Sequence, residues 1–104
     1  MKNIKFYDEK GILSLDAINM LEKASSVTSC ECPRHLIELL KTAKEFTKYQ
    51  DDCLIEKPHD QHTHEWLKAT SINLEHFISS AIVNLARMEG IIDENNQIQL
   101  DESS

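Results

Sequence analysis

The chain has 104 residues, 40 % of them hydrophobic and 28 % charged, and a net charge of −7. That length suits one domain able to bury about two-thirds of its unfolded surface without disulfide or metal staples. Acids outnumber bases and no stretch clusters Lys with Arg, which argues against a nucleic-acid surface, while no apolar run approaches the roughly 18 residues of a membrane span. The opening MKNIKFYDEKG is charged and lacks the apolar stretch of a secretory signal, so a cytoplasmic location is expected. Three cysteines cannot all pair within one chain, in keeping with a compartment where thiols stay reduced. Only two glycines and two prolines punctuate the sequence, which points to long helices.

In chain order, IKFYDEKGIL at 4–13 sets two short apolar runs around a turn and reads as a small hairpin or an irregular arm. Ser14 then stands as N-cap of a short helix over 14–24, with Asp16 in its first turn and Leu15, Ile18, Met20, Leu21 and Ala24 on its apolar face. The polar run SSVTS breaks it. A second helix is expected over 33–55, with Cys32 as N-cap and Pro33 in the first helical position. Leu36, Leu39, Leu40, Ala43, Phe46, Tyr49, Cys53 and Leu54 follow at three- and four-residue steps, and Glu38, Lys41, Lys44, Glu45 and Lys48 fill the opposite face. Pro58 disfavours helical geometry at Lys57 and ends it.

A third helix is expected over 60–89, capped by Asp60 and closed by Gly90. Leu67, Thr70, Leu74, Phe77, Ala81, Asn84 and Met88 form a seven-residue repeat on it, and Trp66, Ile78, Ile82, Val83 and Leu85 widen the apolar stripe beyond what one neighbour covers. The expected fold is all-α: a single helical domain over 1–92, in which the two long helices make an antiparallel hairpin joined by the short N-terminal helix. The uncovered apolar surface calls for a homodimer that completes a four-helix core. No internal repeat appears in the sequence. More than half of the excess negative charge falls in the last fourteen residues, so 93–104 reads as an acidic flexible tail, with a weak extended segment in IIDENNQIQL.

The chemistry-bearing residues concentrate in SSVTSCECPRHLIELL. Cys30 and Cys32 flank one glutamate, and His35 falls in the first turn of the second helix, where N-cap and third-residue side chains meet. Unpaired N–H groups and the helix dipole favour a thiolate there, the form that binds metals and reacts with oxidants. Cys30, Cys32 and His35 are therefore candidate metal ligands, with zinc the default ion for mixed sulfur and nitrogen ligands and an iron–sulfur centre the alternative. Cys53 lies 21 residues beyond Cys32, roughly 30 Å along one helix, so it reaches the same site only from a partner chain. His62 and His64 form a second-rank cluster near the hairpin connection. The bland reading is packing and capping: cysteine buries well, and histidines at helix starts are commonly solvated. The di-iron signature is Glu-x-x-His on facing helices, whereas His35-x-x-Glu38 and His62-x-x-Glu65 run in the reverse order; with no glycine-rich phosphate loop and no Ser/His/Asp set either, an enzyme is the least supported class.

CECPRHLIELL, EFTKYQDDC, HTHEWL and IVNLARMEGI resemble the C-terminal helical segment of certain MerR-type bacterial regulators. The residues that carry the likeness are Cys30, Cys32, Pro33, His35 and Leu36, then Phe46, Tyr49 and Cys53, then His62 and His64, and finally Glu89 and Gly90. IKFYDEKGIL is similar to the stretch that closes the helix-turn-helix of that family, without the rest of its DNA-binding unit. The resemblance spans about residues 28–92 and implies an accessory or sensory module with a regulatory protein as partner, and no DNA binding of its own. Two functional readings follow: a dimeric helical module whose Cys/His site binds a metal or senses redox state, or an interaction module whose cysteines only pack and cap.

Overall fold

The computed structural model describes residues 5–26, 31–56 and 58–98. Their regular structure is helical throughout: α1 (Leu15–Ser25), α2 (Cys32–Glu56) and α3 (Gln61–Met88), with a 3-10 turn at Pro58–Asp60 leading into α3. No strand forms among the described residues, where β-pairing is limited to the isolated bridges Tyr7–Leu13 and Ile92–Ile98. None of these helices is long and apolar enough to cross a membrane.

Each helix boundary has a local cause. Ser14 caps α1, its hydroxyl accepting the Ala17 N–H at 3.0 Å, and Asp16 and Lys23 complement the helix dipole at the two ends. α2 begins one residue earlier than expected. Cys32 is its first residue rather than its cap, and the carbonyl of Glu31 accepts the His35 N–H at 3.1 Å. Pro33 is still tolerated there, because the first four N–H groups of a helix have no intrahelical partner. Asp60 flanks α3 without a side-chain capping bond. α3 ends in a Schellman turn: Gly90 adopts φ +75°, its N–H donates to Arg87 at 3.1 Å, and the Ile91 N–H donates to Ala86 at 2.8 Å.

Two turns of the same construction flank the helices. Asp8 accepts the N–H groups of Lys10 and Ile12 through Oδ1, at 2.8 and 3.1 Å, and its carbonyl accepts the N–H of Gly11 at 3.0 Å. Asp93 does the same for Asn95 and Gln97, at 2.8 and 3.0 Å, with its carbonyl accepting from Asn96 at 3.0 Å. Gly11 and Asn96 supply the left-handed residue at matching positions, φ +78° and +64°. Residues 93–98, expected as part of an acidic tail, are thus a hydrogen-bonded turn, tied to α3 by Arg87 at 2.7 Å from Asn96 Oδ1. The sequence hid this repetition because only the aspartate, the following glutamate and the apolar flanks coincide.

The apolar core gathers at one end of the helix pair. Ile12 and Leu13 from the first turn, Ile18 and Leu21 from α1, Ile37 and Leu40 from α2, Ile82 and Val83 from α3, and Ile91 and Ile92 after it are all buried. Toward the other end the facing residues turn polar. Thr47 and Gln50 on α2 and Ser71, Glu75 and Ser79 on α3 are buried. The Glu75 carboxylate accepts from Lys44 at 3.2 Å and from the Thr47 hydroxyl at 2.6 Å. The Ser71 hydroxyl touches that of Thr47 and donates to the Ala43 carbonyl at 3.0 Å. Further on, Gln50 Oε1 lies 2.8 Å from His64 Nδ1, and Lys68 pairs with Asp51 at 2.6 Å across the surface.

This arrangement corrects the expected face of α3. Leu74, Phe77 and Met88, taken from the sequence as its core repeat, are exposed. The row that faces α2 and α1 instead runs through Ser71, Glu75, Ser79, Ile82, Val83 and Ala86. α3 carries apolar residues on two flanks, and the flank rich in Ile and Val is the one that joins the core cluster with residues of α1 and the two turns. On α2, Lys44 likewise leaves the solvent face and is half-buried against Glu75.

The buried pair makes a direct prediction. Lys44→Met strands the Glu75 carboxylate, whose side chain is 4 % exposed, and the chain should lose about 3 kcal/mol in urea unfolding. Lys44→Met combined with Glu75→Leu should recover most of that loss; a double variant no more stable than Lys44→Met would show that the pair is not what holds the carboxylate.

Candidate functional site

The cysteine and histidine candidates do not converge among the described residues, where no group of three His, Cys, Asp or Glu side chains is placed to hold a metal ion. Cys30 lies outside the described residues. Cys32 is exposed at the start of α2. His35 is exposed one turn on, its Nε2 3.9 Å from Glu31, and Glu31 also pairs with Arg34 at 3.2 Å. The Glu31 carboxylate therefore sits beside the helix start, where the sequence suggested a thiolate. Cys53 is buried near the far end of α2, which keeps it remote from Cys32 within one chain. His62 is exposed and His64 half-buried against Gln50, so those two point to different surroundings. A cleft of about 660 Å³ between the Asp8 turn and the middle of α2 carries side chains of both signs, and its Lys44 and Glu75 already satisfy each other.

Cys53 has a specific neighbour that the spacing alone did not single out. The Tyr49 phenol lies one turn earlier, and the neighbouring thiol holds it above its usual pKa of 10.0, with Glu56 adding to the effect. The i, i+4 spacing puts the two on one flank of α2. Cys53 itself is buried on that flank.

The more extensive feature is apolar. Leu39, Phe46 and Tyr49 on α2, and Trp66, Leu74, Phe77 and Met88 on α3, are all exposed, Phe77 by 74 % and Met88 by 80 %. At about 100° per residue, the three α2 residues share a flank centred opposite Ile37, and the α3 residues share the flank opposite Ile72 and Val83. Ile37 and Val83 belong to the core, and Lys41 bonds Glu22 of α1 at 3.0 Å, so both exposed flanks turn away from α1. The seven side chains expose on the order of 800 Å². Monomeric proteins rarely present more than a few hundred Å² of contiguous apolar surface. The sequence signal was available, since these residues were read as apolar stripes; what it lacked was the polar seam that pulls the helices together along a different line.

The raised Tyr49 pKa has a sign that can be checked. A phenol held protonated in the folded chain contributes stability that is fully present below pH 10.0 and is lost as pH rises through its folded value. In a Tyr7→Phe chain, which leaves Tyr49 as the single tyrosine, tyrosinate absorbance should therefore appear above pH 10.0, and Cys53→Ala should bring the midpoint down. An unchanged midpoint would separate the phenol from the thiol.

Comparison with known protein families, curated proteins and solved structures finds no match to this chain.

Proposed function

We propose that this chain is a helical interaction module that works through the exposed apolar flanks of α2 and α3, and that it pairs with a second copy of itself. The observation that carries the reading is the set of exposed large apolar side chains, Leu39, Phe46, Tyr49, Trp66, Leu74, Phe77 and Met88. The pairings Gln50–His64, Thr47–Ser71 and Lys44–Glu75 fall along α2 as they rise along α3, which supports an antiparallel hairpin. In such a hairpin the two exposed flanks lie side by side on the face opposite α1. Their area matches the roughly 800 Å² per partner of a standard protein interface. A second hairpin laid on that face makes a four-helix core, the simplest cover for two amphipathic helices.

A second reading keeps the cysteines functional. Cys32 is exposed in the first turn of α2, with Cys30 two residues before it in sequence and His35 one turn on. Zinc, or less simply an iron–sulfur centre, bound there would make the module a metal or redox sensor, in line with the resemblance to the accessory segment of MerR-type regulators. The Cys30→Ser/Cys32→Ser variant is its test. Zinc retained in equilibrium dialysis by the wild-type chain and lost by the variant would support it; equal retention would end it.

For the first reading, sedimentation equilibrium at micromolar concentration should give the mass of two chains. Phe77→Glu with Leu74→Glu should weaken the association at least thirtyfold while leaving the helical circular dichroism unchanged, since both side chains are exposed in the single chain. A wild-type chain that sediments as a monomer would overturn self-pairing.

A further inference from the structure

We infer that in the dimer α2 of each copy lies on α3 of its partner, with the two-fold axis running along the helices rather than across them. This rests on the reading that the apolar face pairs with a second copy, and it adds the orientation. Two arrangements bury the same face. In one, α2 crosses onto the partner's α2 and α3 onto its α3, in reversed direction. In the other, each α2 covers the partner's α3 at the same level.

Charge separates the two arrangements. The edge of α2 that points away from α3 carries Glu38, Glu45 and Asp52 at seven-residue steps, with Glu56 one turn further, all exposed. Lys41 and Lys48 lie beyond it, toward α1. The corresponding edge of α3 carries Asn73, Ser80 and Asn84, with Arg87 at its end, again all exposed. Laying α2 on α2 sets two acidic edges against each other within a Debye length of about 8 Å. Juxtaposed like charges at an interface select against that pairing. Laying α2 on α3 borders each acidic edge with amides, a hydroxyl and a guanidinium.

The heights of the large side chains along the helices separate them as well. The contacts Gln50–His64, Thr47–Ser71 and Lys44–Glu75 fix which parts of the two helices stand side by side. By that measure Tyr49 is level with Trp66, Phe46 with Leu74, and Leu39 with Phe77, each within about one helical turn. Rotation about an axis along the helices leaves every level unchanged. Each large side chain of α2 then meets its level-mate on the partner's α3 wherever the axis sits. Crossing α2 on α2 gives such matches only for one position of the axis.

Cysteine cross-linking distinguishes the two. In a chain with Cys30, Cys32 and Cys53 changed to serine, Glu45→Cys and Asn73→Cys stand on opposite outer edges of one hairpin, roughly 20 Å apart, too far to link within a chain. Across the inferred dimer they are neighbours. The double variant with a short bismaleimide should shift from the monomer to the dimer position on a denaturing gel, and neither single variant should. Self-linking of the Glu45→Cys single variant, or no dimer band from the double variant, would overturn the orientation. Should the serine chain lose helicity, benzoylphenylalanine in place of Phe46 asks the same question with the native cysteines. Dimer-band adducts in 66–80 support the inference, and adducts in 39–56 overturn it. Sedimentation of the same chains separates the two levels of failure: a dimer that links wrongly removes the orientation alone, whereas a monomer removes the self-pairing reading beneath it.

Discussion

Glu75 is a carboxylate buried between two long helices, and a charge in that position is tolerated only where hydrogen bonds and an opposite charge meet it. Lys44 and Thr47 do so from α2, and Ser71 continues the seam to the Ala43 carbonyl. Sliding α2 along α3 by one turn would leave the carboxylate without its cation, so this contact fixes which residues face inward on both helices. Once Thr47, Ser71 and Glu75 face inward, Phe46, Tyr49, Leu74 and Phe77 must face out, because at about 100° per residue both sets cannot share a line. The exposed apolar flanks are therefore a geometric consequence of a polar contact.

How much of this was legible in the sequence depends on which residues are considered. Helix existence was plain from periodicity and from the scarcity of glycine and proline, and the Ser14 and Gly90 boundaries followed from cap chemistry. The inward face of α3 was not legible. A stripe of Leu74, Phe77 and Met88 outscores one of Ser71, Glu75 and Ser79 on hydrophobicity, and nothing local says that Lys44 waits on another helix. The seam depends on a partner 31 residues away, which periodicity within one helix cannot register. The same limit applies to the candidate ligands. Spacing put Cys32 and His35 in one helical turn, but it could not say that Glu31 would occupy the helix start beside them.

The two aspartate turns illustrate a different economy. Asp8 and Asp93 each organise four or five residues through their own carboxylates, with a left-handed residue in the same position. The apolar residues after the first turn and before the second, Ile12, Leu13, Ile91 and Ile92, then close the core that α1 alone would leave open. A chain with one short helix beside two long ones thus reaches a full core at that end by building the missing wall from turns.

That uneven construction has a consequence for motion. One end of the helix pair is sealed by isoleucine, leucine and valine from five segments, while the other is held by hydroxyls, an amide and an imidazole with few buried apolar neighbours among the described residues. Native proteins open in cooperative units whose free energy follows buried apolar contact. Amides in the first half of α2 and the second half of α3 should therefore be the slowest of the described residues to exchange with solvent. Those from Thr47 to Cys53 and from His64 to Ser71, along the polar seam, should exchange sooner. A partner seated on the apolar flanks would close that gradient from outside, so the slow-exchange core would lengthen along the helices without any change in fold.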